Sequence, residues 1–538
     1  MRGRLLTLIV SLLMLVGFGA SAQESGLGVI RLGADVDTRD LTTTLIPVEP
    51  QTGQIRSDVL GEAALFRAWE ATDDGQVIFT LDDSHTWPDG TPFSITDAQA
   101  AVDNALPSLR QGGATFRAAP LSTTELLVAS SYPTCDLLER FVGVFVLPAS
   151  IVAPGAADNV VPFLGRIFET DNERLTAWAA LQQQYSDEAL RELDRLPVTT
   201  RYIAQPTFDR EATRITRAAS TQAIELIPTQ TRAAGVLAGD RTIMADVSAL
   251  LVSDFDRGGA QVRHFPEGKA FLLALAVRNP AQLADRIPLD ETAAHYAFGD
   301  ERVRQAIQLA VDTAVMVDGP YQGYASPLNS LAAPNLWFEP ASRSSVAFDP
   351  VQAIQLLEDA GWSDADGDGV RECYGCAFAP RGTQLRLGMG VSDFALGELV
   401  VSQLRRIGVS VTVTGGEITP GLDMALVSHT PSYPFGAASA ERYFARFTAD
   451  ASTSLARVTG YVNADAVAAV DAAGSLACDA YDERAGHYTD ATNALLADTV
   501  YIPLVAPHTV YAAVPGLVGF DPLPHRPLWN VEDWTVLR

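Results

Sequence analysis

The chain has 538 residues, 47% of them hydrophobic and 19% charged, with 38 basic against 65 acidic side chains and a net charge of −27. That length predicts about three compact units, and the apolar content excludes a disordered chain. The acidic balance disfavours nucleic acid and anionic lipid as partners. Lys269 is the only lysine, and Arg263 stands where a phosphate loop ending there would need its first glycine, so that loop is absent.

Arg2 and Arg4 precede an apolar run from Leu5 to Val16, and Ala20-Ser21-Ala22 forms a small-residue cleavage pattern before Gln23. This reads as a secretory signal peptide over residues 1–22 and an extracytoplasmic mature protein. No cysteine follows the apolar run, so a lipid anchor is not expected. Outside the cytoplasm, Cys135, Cys373, Cys376 and Cys478 can oxidise. Cys373 and Cys376 are read as one structural disulfide across a turn, while Cys135 and Cys478 are left either to pair or to stay free.

Val77–Leu81 reads as a strand, and Trp87-Pro88-Asp89-Gly90 as a turn. A helix follows, with Thr96 as its cap, Gln99 completing a capping box, Ile95 as staple and Pro107 as its stop. Ala270–Val277 reads as a strand buried on both faces. Apolar residues from Val303 to Val315 predict one long helix starting near Asp300. A second helix has Asp349 as cap, Pro350 at its first position and Gly361 past its end. Leu385–Val391, Phe394–Ile407 and Val409–Val413 form a strand–helix–strand unit, which predicts a parallel pair. Asp423–Val427 adds a strand, Asp482–Leu496 a last helix, and Ile502-Pro503-Leu504 opens a final extended region. The fold class is α/β with at least two lobes.

The chemistry is sparse. Seven scattered histidines form no close ligand pair, and there is no nucleophile elbow. Gly367-Asp368-Gly369 is no dinucleotide fingerprint, because Glu372 takes the place of the third glycine. One positive motif remains. Asp364, Asp366 and Asp368 alternate ahead of Gly369, Val370 offers a carbonyl, and Glu372 stands at the ninth position, as in the opening of a calcium loop. The closing glutamate is replaced by Gly375. A solvated acidic turn is the other reading; a bound calcium would be structural.

Three blocks carry a resemblance. The first is Trp69, Asp73-Asp74-Gly75, Val77–Leu81, Trp87–Pro92 and Thr96-Asp97. The second runs from Asp300-Glu301-Arg302-Val303 through Val311-Asp312 and Tyr324–Pro327 to Ala360-Gly361-Trp362. The third is Asp482-Glu483-Arg484 with Ile502-Pro503-Leu504. In this order and spacing the chain resembles the family 5 extracytoplasmic solute-binding proteins of ABC importers. The resemblance implies a two-lobed periplasmic-binding-protein-like fold, type II or cluster C-like, with an extra subdomain in the first lobe. Lobe I would comprise residues 23–277, with the subdomain near 55–170; lobe II would span 278–477; residues 478–538 would return to lobe I. It further implies a monomer without catalytic residues or a required cofactor, which hands a captured peptide or similar solute to membrane permease subunits.

In peptide-binding relatives, the strand matching Asp423–Val427 leads to a Gly-Trp pair and an Asp for the peptide amino terminus. Here Ser428 or His429 replaces the Trp, and Ser432 falls where the Asp is expected. An oligosaccharide therefore competes with peptide as cargo, since a hydroxyl cannot pair with an ammonium as a carboxylate does. Tyr433, Phe435 and Trp337 could stack on a ring or pack in the core. Arg39 could meet a ligand carboxylate or form a surface ion pair. A secreted two-lobed hydrolase and a receptor that signals to a sensor are the other readings of such a chain.

Overall fold

In the computed structural model, the residues described are 29–32, 36, 45–49, 51–56, 64–72, 76–84, 91–109, 116–131, 133–142, 203–205, 213–216, 223–226, 232–277, 296–340, 346–415, 422–448 and 455–536. The signal sequence, Arg39 and the Trp87–Gly90 turn lie outside them.

The largest sheet is organised by a 13-residue strand, Tyr501–Ala513. Its first half pairs antiparallel with Ala270–Leu275, and Val505–Pro507 pair with Ala325–Pro327. Its second half pairs with Gln261–Pro266 and, at its end, with Ile243–Met244. Beyond Ala270–Leu275 the order continues through Met424–His429, Arg386–Val391 and Ser410–Gly415. Arg386–Val391 and Ser410–Gly415 are parallel, joined across the Phe394–Arg405 helix as the strand–helix–strand pattern requires.

Alternation within Ala270–Leu275 explains why all six of its residues are buried. Phe271, Leu273 and Leu275 pack with Val303, Ile307, Leu357, Leu396 and Val400. Ala270, Leu272 and Ala274 face the opposite layer, with Tyr443, Phe444, Tyr488 and Leu495. Helices therefore cover both faces, and each fully buried large apolar side chain contributes about 1.5–3 kcal/mol. A separate core joins Ile30 and Leu32 to Val510–Val514, Phe520 and Trp534. The early chain and its tail thus share one interior.

A second, antiparallel sheet has the order Phe66–Ala71, Val77–Leu81, Glu125–Ser130, Phe116–Pro120. Phe66, Phe79 and Phe141 build its core with the helices Ile95–Leu109 and Thr134–Val142. A third sheet sets Val29–Leu32 parallel to Ala223–Leu226, with Thr213–Thr216 and Ile203–Gln205 beyond.

Three local expectations are corrected. Ser94, not Thr96, begins the first long helix: Asp97 N donates to Ser94 Oγ at 3.3 Å and Ser94 N donates to Asp97 Oδ2 at 3.0 Å. The box with a carboxylate as return acceptor prevails, and Gln99 Nε2 instead donates to Ala118 O. Pro107 does not stop this helix, which continues to Leu109; so near the end, a missing N–H forfeits little. The helix from Glu301 ends at Ala310, and Asp312 caps a new one, Thr313–Asp318. Gln403 fastens the break, accepting from Asp312 N at 2.9 Å and donating to Asp312 O at 3.2 Å.

The Asp349 cap, Pro350 and Gly361 occur as read, with Asp349 Oδ1 accepting from Val351 N and Gln352 N. Cys373 and Cys376 are bridged, and Cys135 is bridged to Cys478. The latter bridge ties the Thr134–Val142 helix to the start of Tyr481–Ala497. Beside it, Glu139 accepts from Ser439 N at 2.7 Å at the start of the Ala437–Thr448 helix and pairs with Arg442. Among the described residues, no helix is long and apolar enough to cross a membrane.

Candidate functional site

The polypeptide crosses between the two halves of the large sheet at Glu267-Gly268-Lys269 and again near Pro507, where Glu267 N donates to Pro507 O at 3.1 Å. Next to this crossing lies a cavity of about 240 Å³. Ala245, Asp246, Thr509 and Tyr511 line it from one side, Thr430, Pro431, Tyr433 and Phe435 from the other, and Pro524, His525 and Pro527 close it from the tail.

Two glycines allow this close approach. Gly53, at φ +68°, has its carbonyl bonded by Phe435 N at 2.9 Å, and a Cβ there would sit 2.8 Å from the Phe435 ring. Gly268, at φ +82°, passes beneath His525 and Phe435. The rings interlock: Tyr433 meets Phe435 edge-on at 5.5 Å, and Phe435 meets His525 edge-on at 4.6 Å. The result is an aromatic corner suited to the flat or aliphatic part of a solute.

Asp246 and Glu267 supply the charge. Burial raises the Glu267 carboxyl above its ordinary value; Lys269 opposes that shift and Asp246 adds to it. The lining is therefore acidic and favours a cationic group in the ligand. A second cavity, of about 260 Å³, is lined by Gln308, Thr313, Leu328, Ile502 and others, none of them charged. It offers no charge to pair with an ionic group of a solute.

The structure divides the residues singled out from sequence. Tyr433 and Phe435 line the cavity. Trp337 stands behind it: its indole Nε1 donates to Phe435 O, and its ring packs edge-on against Phe338 and Tyr481. Ser428 sits on the Met424–His429 strand opposite Phe271. Ser432 is exposed, and its carbonyl accepts from Ser439 Oγ at 2.6 Å. His429 is in the core, 2% exposed and stacked on Tyr443 at 3.8 Å. Neither Ser428, His429 nor Ser432 lines the cavity. Sequence reasoning passed over Asp246, Glu267, Thr509, Tyr511 and His525. Glu267 did carry a signal: it opens a Glu-Gly-Lys break between two strand-like runs. Asp246 carried none.

Residues 220–450 match the model of the bacterial extracellular solute-binding proteins, family 5 middle region. The nickel-binding periplasmic protein of Escherichia coli K12 is 24% identical over 365 residues, covering 66% of this chain and 63% of that protein. Over this middle region the chain is similar to solute-binding protein family 5. The oligopeptide-binding protein AppA of Bacillus subtilis is 25% identical over 255 residues, 45% of each chain. Both matches span less than two thirds of the curated relative. Among solved structures, the periplasmic murein tripeptide-binding protein MppA, in an unliganded open form, superposes with a TM-score of 0.67 at 16% identity, covering 96% of this chain and 98% of that one. That likeness bears on fold, and it is the two-lobed fold of family 5. Family 5 members are binding proteins of transport and work outside the cytoplasm.

Proposed function

We propose that the protein captures a small solute bearing a cationic group, with short peptides as the first class, in the cavity bounded by Tyr433, Phe435, Asp246 and Glu267. The match to the family 5 middle region supports capture and delivery to an ABC permease without chemical change; the acidic aromatic lining supports a cationic cargo. Here the carboxylates expected to meet an ammonium come from Asp246 and Glu267, not from the 428–432 stretch. Binding would draw the two lobes together, and the permease would read the closed form. Export through a cleaved leader and action as a monomer complete the proposal.

The likeness to the nickel-binding protein favours a second reading, a chelated metal ion held by the same carboxylates with His525. An oligosaccharide is the third. Native mass spectrometry of freshly purified protein, followed by calorimetric titration with di- to pentapeptides, nickel–histidine and oligosaccharides, separates them. Peptide binding at micromolar strength is expected. Binding of sugars alone, or turnover of any bound compound, would refute the proposal.

A further inference from the structure

The turn from Asp364 to Glu372 joins two short strands, Trp362–Ser363 and Glu372–Cys373, paired Trp362 to Cys373 and Ser363 to Glu372. One carboxylate oxygen each from Asp364, Asp366, Asp368 and Glu372 lies within 4.8 Å of the other three. Two like charges that far apart in water repel by about 1 kcal/mol, and more where solvent is excluded. Main-chain groups offset part of this. Gly367 N and Gly369 N donate to Asp364, Asp368 N donates to Asp366, and Val370 N donates to Asp368. Arg386 approaches only Asp368, at 3.9 Å.

Glu372 is the telling residue. It is 6% exposed, its Oε2 accepts from Ala365 N at 3.3 Å, and its Oε1 is shut off from solvent with no hydrogen-bond partner among the described residues. Leaving a carboxylate oxygen so placed is costly. The adjacent cation does not relieve it. Arg371 turns away, donating from Nε to Ile407 O at 2.8 Å and from Nη1 to Trp362 O at 2.9 Å.

We propose that this loop binds one calcium ion through the carboxylates of Asp364, Asp366, Asp368 and Glu372. The donors are all oxygen, which selects a hard cation over zinc. Calcium accepts six to eight oxygens in loose geometry, whereas magnesium demands a tight octahedron and holds its waters. Gly367 and Gly369, at φ +78° and +87°, supply the bends that bring alternate side chains to one point. The spacing assigns the Val370 carbonyl as a fifth oxygen, with water completing the shell. Glu372 replaces the glutamate that a longer loop places at its twelfth position. Bound calcium would fasten the hairpin that seats Trp362, 1% exposed, in the main core beside Cys373.

The test uses the full mature chain with disulfides intact, stripped with chelator and titrated with CaCl2 by calorimetry and thermal melting. One site with a dissociation constant of about 1 mM or tighter is expected, with a melting temperature that rises as calcium exceeds it. Asp366→Asn and Asp368→Asn, both at exposed positions, should each weaken binding by ~10-fold or more while leaving the chelated melting temperature in place. Glu372→Gln should abolish binding. No heat and no shift in the parent protein would overturn the proposal, as would unchanged affinity in all three variants. Equal or tighter binding of MgCl2 would overturn the assignment to calcium.

Discussion

The guanidinium Nη1 of Arg446 lies 2.7 Å from His429 Nδ1, while His429 Nε2 faces the Tyr443 carbonyl at 3.0 Å. Arginine has only donors, so Nδ1 must accept and Nε2 must carry the proton. The ring is held neutral. Burial, then the Arg446 charge, lowers its pKa to about 3, and the Tyr443 carbonyl opposes the shift. In the unfolded chain the ring would take a proton near pH 6.5.

A pH dependence follows from that pairing. Below pH 6.5 the unfolded chain binds a proton that the folded one refuses, so this contribution to stability is full above 6.5 and is lost as pH falls towards about 3. The slope is about 1.4 kcal/mol per pH unit from this site. His508, lowered to about 4 by burial and by His264, adds to the loss. Urea denaturation between pH 7 and 4.5 should show falling stability in the parent protein and a shallower fall in His429→Gln. Parallel curves for the two proteins would disprove the assignment.

Glu139 is expected to anchor the antiparallel-sheet unit. Glu139→Ala removes the acceptor for Ser439 N and the partner of Arg442. A loss of about 1.5–3 kcal/mol is expected, because these are charge-assisted bonds at a buried carboxylate. Chemical denaturation measures it; a change within error would mean that water replaces the carboxylate at no cost.

The Cys135–Cys478 bridge closes a loop with a sequence separation of 343. Cys135→Ser with Cys478→Ser should cost roughly 2–5 kcal/mol, chiefly by freeing the unfolded chain. Comparing the oxidised parent with the double variant by thermal melting checks this, and equal melting temperatures would contradict it.

In the cavity, Tyr433→Ala and Asp246→Asn should each weaken solute binding by ~10-fold or more, the first through lost ring contact and the second through lost charge pairing. Trp337→Phe removes only the indole donor to Phe435 O and should have a smaller effect. Calorimetry with the solute identified by mass spectrometry reads all three. Undiminished affinity in both Tyr433→Ala and Asp246→Asn would move the binding site elsewhere.

Much of the framework was legible because it is local. Asp349-Pro350 and Gly361 bracket one helix with their own side-chain and backbone preferences, and the Ala270–Val277 run announces a strand covered on both faces. The sequence resemblance extended this to family and fold. Where two local codes overlapped, reading failed: Thr96 with Gln99 and Ser94 with Asp97 are both plausible boxes, and only the packed helix chooses. Asp312 looked like part of a helix because the break at its backbone is fastened by Gln403, 91 residues away. The cavity was half legible. Tyr433 and Phe435 follow a strand that sequence could place, but Asp246 and Tyr511 reach the site from segments with no local mark of convergence. His429 looked available as a polar residue at a strand end; its burial depends on Arg446 and Tyr443 from the following helix.

The Tyr501–Ala513 strand completes the sheet on both sides of the crossing, and each strand it pairs with among the described residues lies at or before Pro327. During synthesis, neither side can close its hydrogen-bond ladder until this late piece has emerged. The large sheet therefore stays incomplete until that point. The arrival of one strand is thus the event that completes both halves of the large sheet at once.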